Sequence, residues 1–293
     1  MMSYKFFIIG APKSGTTALS EYLRQHPDVL FSRPKEPHFF NDDFSHRHIE
    51  SIDAYLECFS HGSGQEKAVG EGSIFYLYSQ TAVLTILNQH PNARFIVMLR
   101  KPVEAAYSWH WQSVFSFGED LDDFEMAWRA QEKRRLGERL PPNNRVREAL
   151  QYGPLFSYAD QLERLFNLVP RERVHIILYD DFKRNPEATY HKTLSFLSLS
   201  SFSLQTYQQI NPSKRFRWPM AQAAIQVAGK LKRSIGLNQG LGMLTYLQRL
   251  NTKYQERPPL RPAFRSELIE YFRNDVRRTS ELIDRDLSEW THD

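Results

Sequence analysis

The chain has 293 residues, 41% hydrophobic and 13% aromatic, which is enough to bury a sizeable core and too apolar for a disordered polymer. Its 38 basic and 34 acidic side chains leave a net charge of only +4; that suits an anionic ligand, and no Lys/Arg block of the kind that grips nucleic acid is present. A single cysteine, Cys58, excludes an intrachain disulfide and a multi-cysteine metal site and points to a reducing compartment.

In chain order, the apolar run 5–10 predicts a strand that feeds a helix over 16–25. A short strand at 29–31, a helix at 52–59, a strand at 68–71 and a helix at 80–89 follow. The run 94–99 and the later run 174–179 are nearly continuous apolar strands, as expected of a sheet covered on both faces. Between them lie predicted helices at 102–117, with Pro102 in its first turn, at 124–135 and at 154–168. The polar stretch 136–147, with Pro141-Pro142, reads as a loop over the site. Asn185 caps a helix over 186–197, 208–219 is irregular and basic, and 236–242 is a flexible glycine turn. An amphipathic helical region of mixed charge covers 262–290. Strands alternating with helices imply an α/β fold, a central mainly parallel sheet flanked by helices in three layers. One domain over 1–293 is expected, with a core at 1–217 and a helical C-terminal section at 218–293. No apolar run approaches the roughly 20 residues that span a bilayer, and the first strand starts too near Met1 for a signal peptide, so the expected setting is cytoplasmic.

Two segments carry chemistry on their residues alone. The strand 5–10 runs into a loop bounded by Gly10 and Gly15, with Lys13 inside it and Thr16 and Thr17 opening the helix. Loop amides and a helix N-terminus both offer donors to an anion, so this is a phosphate-binding element. It differs from the ATP/GTP loop, in which Lys follows the second Gly directly. The strand 94–99 then ends in Arg100, where a P-loop NTPase often places a magnesium-holding Asp. A cation there suits an anion directly, and Ser108, about two turns into the next helix, is placed to meet the same anion. No carboxylate cluster is evident beside the loop, so no metal is called for.

The order Pro12-Lys13-Ser14-Gly15-Thr16-Thr17 resembles the 5′-phosphosulfate loop of sulfotransferases that use 3′-phosphoadenosine 5′-phosphosulfate (PAPS), and Arg100 with Ser108 resembles their 3′-phosphate site. The segment Lys35-Glu36-Pro37-His38-Phe39-Phe40 is similar to the Lys-Glu-x-x-Phe-Phe segment of the heparan-sulfate-type and related bacterial members. The resemblance implies a P-loop-type α/β fold and a transferase that moves a sulfuryl group from PAPS to a hydroxyl or amine, releasing 3′-phosphoadenosine 5′-phosphate (PAP). It implies donor binding by Lys13, Ser14, Gly15, Thr16, Thr17, Arg100 and Ser108, with Lys13 acting on the bridging oxygen. Glu36 is the implied general base, with His38 assisting or replacing it and Glu71 in reserve. Gly72 stands where many members carry Lys, which points to an acceptor less anionic than heparan sulfate. Asn211 to Arg217 occupies the place of the family's basic loop over the 3′-phosphate, so Lys214 and Arg217 are further donor contacts. Asp180 and Asp181, at the end of the fourth core strand, read as structural. A small-molecule or glycan acceptor is the expected partner. The rival readings are a nucleotide kinase or NTPase with a degenerate loop, and a non-catalytic nucleotide-binding module.

Overall fold

The computed structural model describes residues 4–116, 118–142, 144, 146–207, 214–216, 252–254 and 257–292. Five strands, β1 (Tyr4–Gly10), β2 (Val29–Phe31), β3 (Ala68–Glu71), β4 (Arg94–Leu99) and β5 (Val174–Leu178), form one sheet in the order β2-β3-β1-β4-β5. All four pairings are parallel.

Alternate residues of the central strands explain the three layers. On one face Phe7 and Ile9 of β1 and Phe95, Val97 and Leu99 of β4 enter a core shared with the helices α3 (Ala82–Gln89), α4 (Pro102–Phe115), α5 (Phe124–Arg129), α7 (Tyr152–Phe156) and α8 (Ala159–Leu168). On the other face Phe6, Ile8, Ile96 and Met98 pack with α1 (Thr16–Leu23), α9 (Tyr179–Arg184) and α10 (Pro186–Phe196). Two further helices, α2 (Ile52–Glu57) and α6 (Gln131–Arg135), lie between these elements in the chain. The long C-terminal helix α11 (Pro262–Ile283) packs on α8 and α4.

Every predicted strand is present, while several helices differ from expectation for tertiary reasons. The helix expected over 154–168 is two helices, because the Asp275 carboxylate of α11 accepts the Tyr158 amide at 2.7 Å and the Ala159 amide at 2.9 Å. That is an N-cap supplied from another element, which no local pattern reveals. The helix expected over 124–135 divides at Ala130, and the one expected to begin at 80 begins at Ala82, where Ser79 Oγ accepts the Ala82 amide at 2.9 Å. Tyr179, expected to close a strand, opens α9 instead. The region expected over 262–290 is helical to Ile283 and ends in a separate 3-10 turn at Ser288–Thr291. Within the basic stretch expected to be irregular, β6 (Lys214–Phe216) pairs antiparallel with β7 (Thr252–Tyr254). The glycine turn expected at 236–242 lies outside the described residues.

Candidate active site

The site lies at the carboxyl ends of β1 and β4, where an open parallel sheet leaves a crevice. After β1 the chain turns through Lys13 (φ 62°) and Gly15 (φ 93°) before α1 begins. Glycine is required at 15 twice over: the left-handed backbone disfavours a side chain, and a Cβ there would come within 3.1 Å of the Phe182 ring. Beside this loop opens a cleft of about 550 Å³ whose walls include Lys13, Thr16, Thr17, Glu36, Arg100 and Ser108. Segments nearly a hundred residues apart in sequence thus meet at one cavity.

Its electrostatics are dominated by cations. The Arg100 guanidinium donates to the Lys13 carbonyl at 3.2 Å and lies 4.5 Å from the centre of the Tyr179 ring. Lys13 donates from Nζ to Gln112 Oε1 at 3.5 Å. Burial, together with the charges of Arg257 and Arg100, lowers the Lys13 pKa to about 8. Burial and the Arg100 charge also lower that of Arg257. Three cations that repel one another around one cleft are relieved by an anion bound between them.

The opposite wall is the loop after β2, pinned to the chain that follows β3. The Gly72 amide donates to the Lys35 carbonyl at 3.1 Å, the His38 amide to Ser73 Oγ at 2.9 Å, and the Phe39 amide to the Tyr76 hydroxyl at 3.0 Å. Glu36 accepts from Lys35 Nζ at 2.6 Å and lies 3.4 Å from His38 Nε2. Burial alone would raise its pKa; the Lys35 charge and the His38 contact hold it down to about 2.

The expected residues do not all converge. Ser14 is fully buried, with its hydroxyl on the Pro12 carbonyl at 3.4 Å, so its side chain is not part of the cleft wall. His38 lines a second cavity of about 300 Å³ that shares Glu36 and Phe75 with the first. Glu71 is wholly buried and accepts hydrogen bonds from the hydroxyls of Ser73 (2.5 Å), Tyr76 (3.1 Å) and Tyr55 (3.2 Å). It holds the Glu36 loop through Ser73 and Tyr76 and lines neither cavity, so it cannot reach an acceptor as the reserve base. Lys214 lies on β6, which packs beside α4, and Arg217 lies outside the described residues. Asp181 pairs with Arg285 at 2.8 Å, a structural role as expected.

Sequence reading missed Lys35 as a bridge, Gln112, Tyr179 and Arg257. Gln112 was within reach, since it lies four residues after Ser108 and shares its helical face. Arg257 belongs to no local pattern that points to the cleft.

A parallel sheet whose strand-loop-helix turn opens on a cationic cleft is the arrangement of an anion-binding α/β protein. The sulfotransferase domain model matches residues 3–215, and the chain belongs to the sulfotransferase family. Human carbohydrate sulfotransferase 15 is 30% identical over 253 residues, covering 68% of this chain and 44% of that protein. The membrane-associated sulfotransferase kil1 of Dictyostelium discoideum is 24% identical over 278 residues, covering 70% and 58%. The chain thus spans about half the length of these curated relatives. The crystal structure of a sulfotransferase from Alicyclobacillus acidocaldarius is similar over 100% of both chains, at 28% identity and a TM-score of 0.75. Among the described residues no helix is long and apolar enough to cross a membrane.

Proposed function

We propose that this chain transfers a sulfuryl group from PAPS to a hydroxyl or amine of an acceptor. The observation that carries this reading is the single cleft joining Lys13, Thr16, Thr17, Arg100 and Ser108 on one wall to Glu36 on the other. The bound donor supplies an activated sulfuryl group on a phosphate leaving group. Thr16, Thr17 and the loop amides hold the 5′-phosphate at the start of α1. Lys13 places its ammonium where negative charge grows on the leaving oxygen, so its contribution is electrostatic and preorganised. Arg100 and Ser108 grip the 3′-phosphate, with Lys214 and Arg217 as further contacts, and so fix the donor's direction in the cleft. Glu36, beside His38, takes the acceptor proton.

Family membership weighs against the kinase reading, and the joint presence of Lys13, Glu36 and His38 weighs against a purely binding role. Residues 1–293 act as one unit in this reading, supported by the packing of α11 on α8 and α4. Titration calorimetry decides the donor: PAP should bind with a stoichiometry of one, ATP with magnesium should not compete, and labelled PAPS should then pass its label to a member of an acceptor panel. Tighter binding of ATP with magnesium would overturn the reading.

A further inference from the structure

We propose that Lys35 is a donor-sensitive latch on Glu36: its ammonium holds the carboxylate until an anion at the Thr16 end of the phosphate loop draws it away. The inference rests on the assignment of Glu36 as base and adds a control that assignment does not contain.

The geometry is a bridge. Lys35 Nζ donates to Glu36 Oε1 at 2.6 Å and to Thr16 Oγ1 at 3.2 Å, so one ammonium touches both the acceptor wall and the first residue of α1. Its side chain is only 12% exposed, and its carbonyl is fixed by the Gly72 amide at 3.1 Å and the Ser32 hydroxyl at 3.0 Å. The backbone is therefore anchored while the ammonium is free to exchange one anionic partner for another. Gly72 makes room for this path, since a Cβ there would stand 3.2 Å from Lys35 Cε and 3.2 Å from Ser20 Oγ. Gly72 thus leaves open the space against which the Lys35 side chain lies.

The chemistry gives the bridge a consequence. Glu36 pressed down to about 2 is a weak proton acceptor at neutral pH, although it lies in the right place. The other charged groups around it are His38 on its own loop, Lys13 from the phosphate loop and Glu71 from the end of β3. Among its attractive partners the Lys35 charge acts most strongly. A phosphate beside Thr16 competes for that ammonium. Once Lys35 turns to the phosphate, only the His38 contact still opposes desolvation, so the proton affinity of Glu36 rises and the base is more effective with donor present. No bond forms or breaks in the exchange.

Difference infrared spectroscopy of the full chain tests this, with the Glu36 carboxyl band assigned by its loss in Glu36→Gln and PAP as the probe. Without PAP the wild-type band should stay ionised from pH 4 to 8. With PAP it should show protonation inside that range, at least about a hundredfold gain in proton affinity. Lys35→Met should show the protonated band with or without PAP, Lys35→Arg should restore the dependence on PAP, and Gly72→Ala should weaken it by crowding Lys35. PAP binding with no change in the wild-type band, or a Lys35→Met band that still follows PAP, overturns the latch and leaves the donor assignment standing. Failure of the wild-type protein to bind PAP overturns both.

Discussion

The Arg100 guanidinium hydrogen-bonds the backbone carbonyl of Lys13 at 3.2 Å, so the end of β4 and the phosphate loop are braced against each other by the side chain assigned to the 3′-phosphate. In the proposed binding mode, donor binding and loop shape are therefore coupled. Removing Arg100 should loosen the loop as well as delete a contact. Arg100→Ala should raise the KM for PAPS by about 10- to 100-fold, the usual worth of a charge-assisted hydrogen bond, with a smaller fall in kcat. Steady-state kinetics with PAPS as the varied substrate checks the split.

Lys13→Ala should leave the fold intact and lower kcat by about 10²- to 10³-fold or more, as expected on loss of a preorganised charge at the leaving group. Thermal melts that match wild type would separate chemistry from folding. Near-normal turnover would remove Lys13 from the mechanism.

The same lysine sets an alkaline limit. In the free protein its ammonium is lost as pH rises through about 8, far below the ordinary lysine range, because of burial and the nearby Arg257 and Arg100. Binding the anionic donor favours the protonated form, so above pH 8 PAP affinity should fall as each binding event must also take up a proton. Arg257→Gln removes one repelling charge and should move this limb to higher pH, whatever it does to the affinity on the plateau. Calorimetry of PAP binding between pH 6.5 and 9.5 reads both effects.

The two layers of helices and all five sheet strands were legible because β1 and β4 are apolar on both faces, a pattern that needs no knowledge of the rest of the chain. That Lys13, Thr16, Thr17 and Arg100 would line one cleft was legible for a related reason. Lys13, Thr16 and Thr17 sit within one turn of chain, and Arg100 ends a strand whose place is obvious. What stayed hidden depends on contacts between distant segments. The break before α8 comes from Asp275, more than a hundred residues later. Glu71 read as a cleft carboxylate because it ends a strand, yet Tyr55 from α2 and Tyr76 enclose it. Arg257 reaches the cleft from a stretch with no motif, and the link between Lys35 and Gly72 exists only in space.

For Glu36 the expected outcome of Glu36→Gln is PAP affinity retained or raised, because Lys35 loses a competing carboxylate, with kcat lowered by about 10²- to 10⁴-fold, the range for loss of a general base. His38→Ala should cost less, because its ring contacts Glu36 from 3.4 Å and faces the second cavity. The reverse order of effects in paired kcat measurements would transfer the proton-accepting role to His38.

Glu71 should show itself in stability. Desolvation raises its pKa to about 7 even though three hydroxyls donate to it. A carboxyl whose folded pKa lies above its unfolded value contributes stability that is fully present below the unfolded pKa and is lost as pH rises through the folded one. That window runs from about 4.5 to about 7 for this residue. Glu71→Gln keeps one acceptor and cannot ionise, so this part of the pH dependence should vanish from its unfolding curves. Glu71→Leu strands the hydroxyls of Ser73, Tyr55 and Tyr76 and should cost about 2–4 kcal/mol, the usual order of penalty when several buried donors lose their acceptor. Urea unfolding of wild type and both variants at half-unit steps from pH 4.5 to 8 separates the slope from the offset. If Glu71→Gln kept the wild-type slope, the titration would belong to another group.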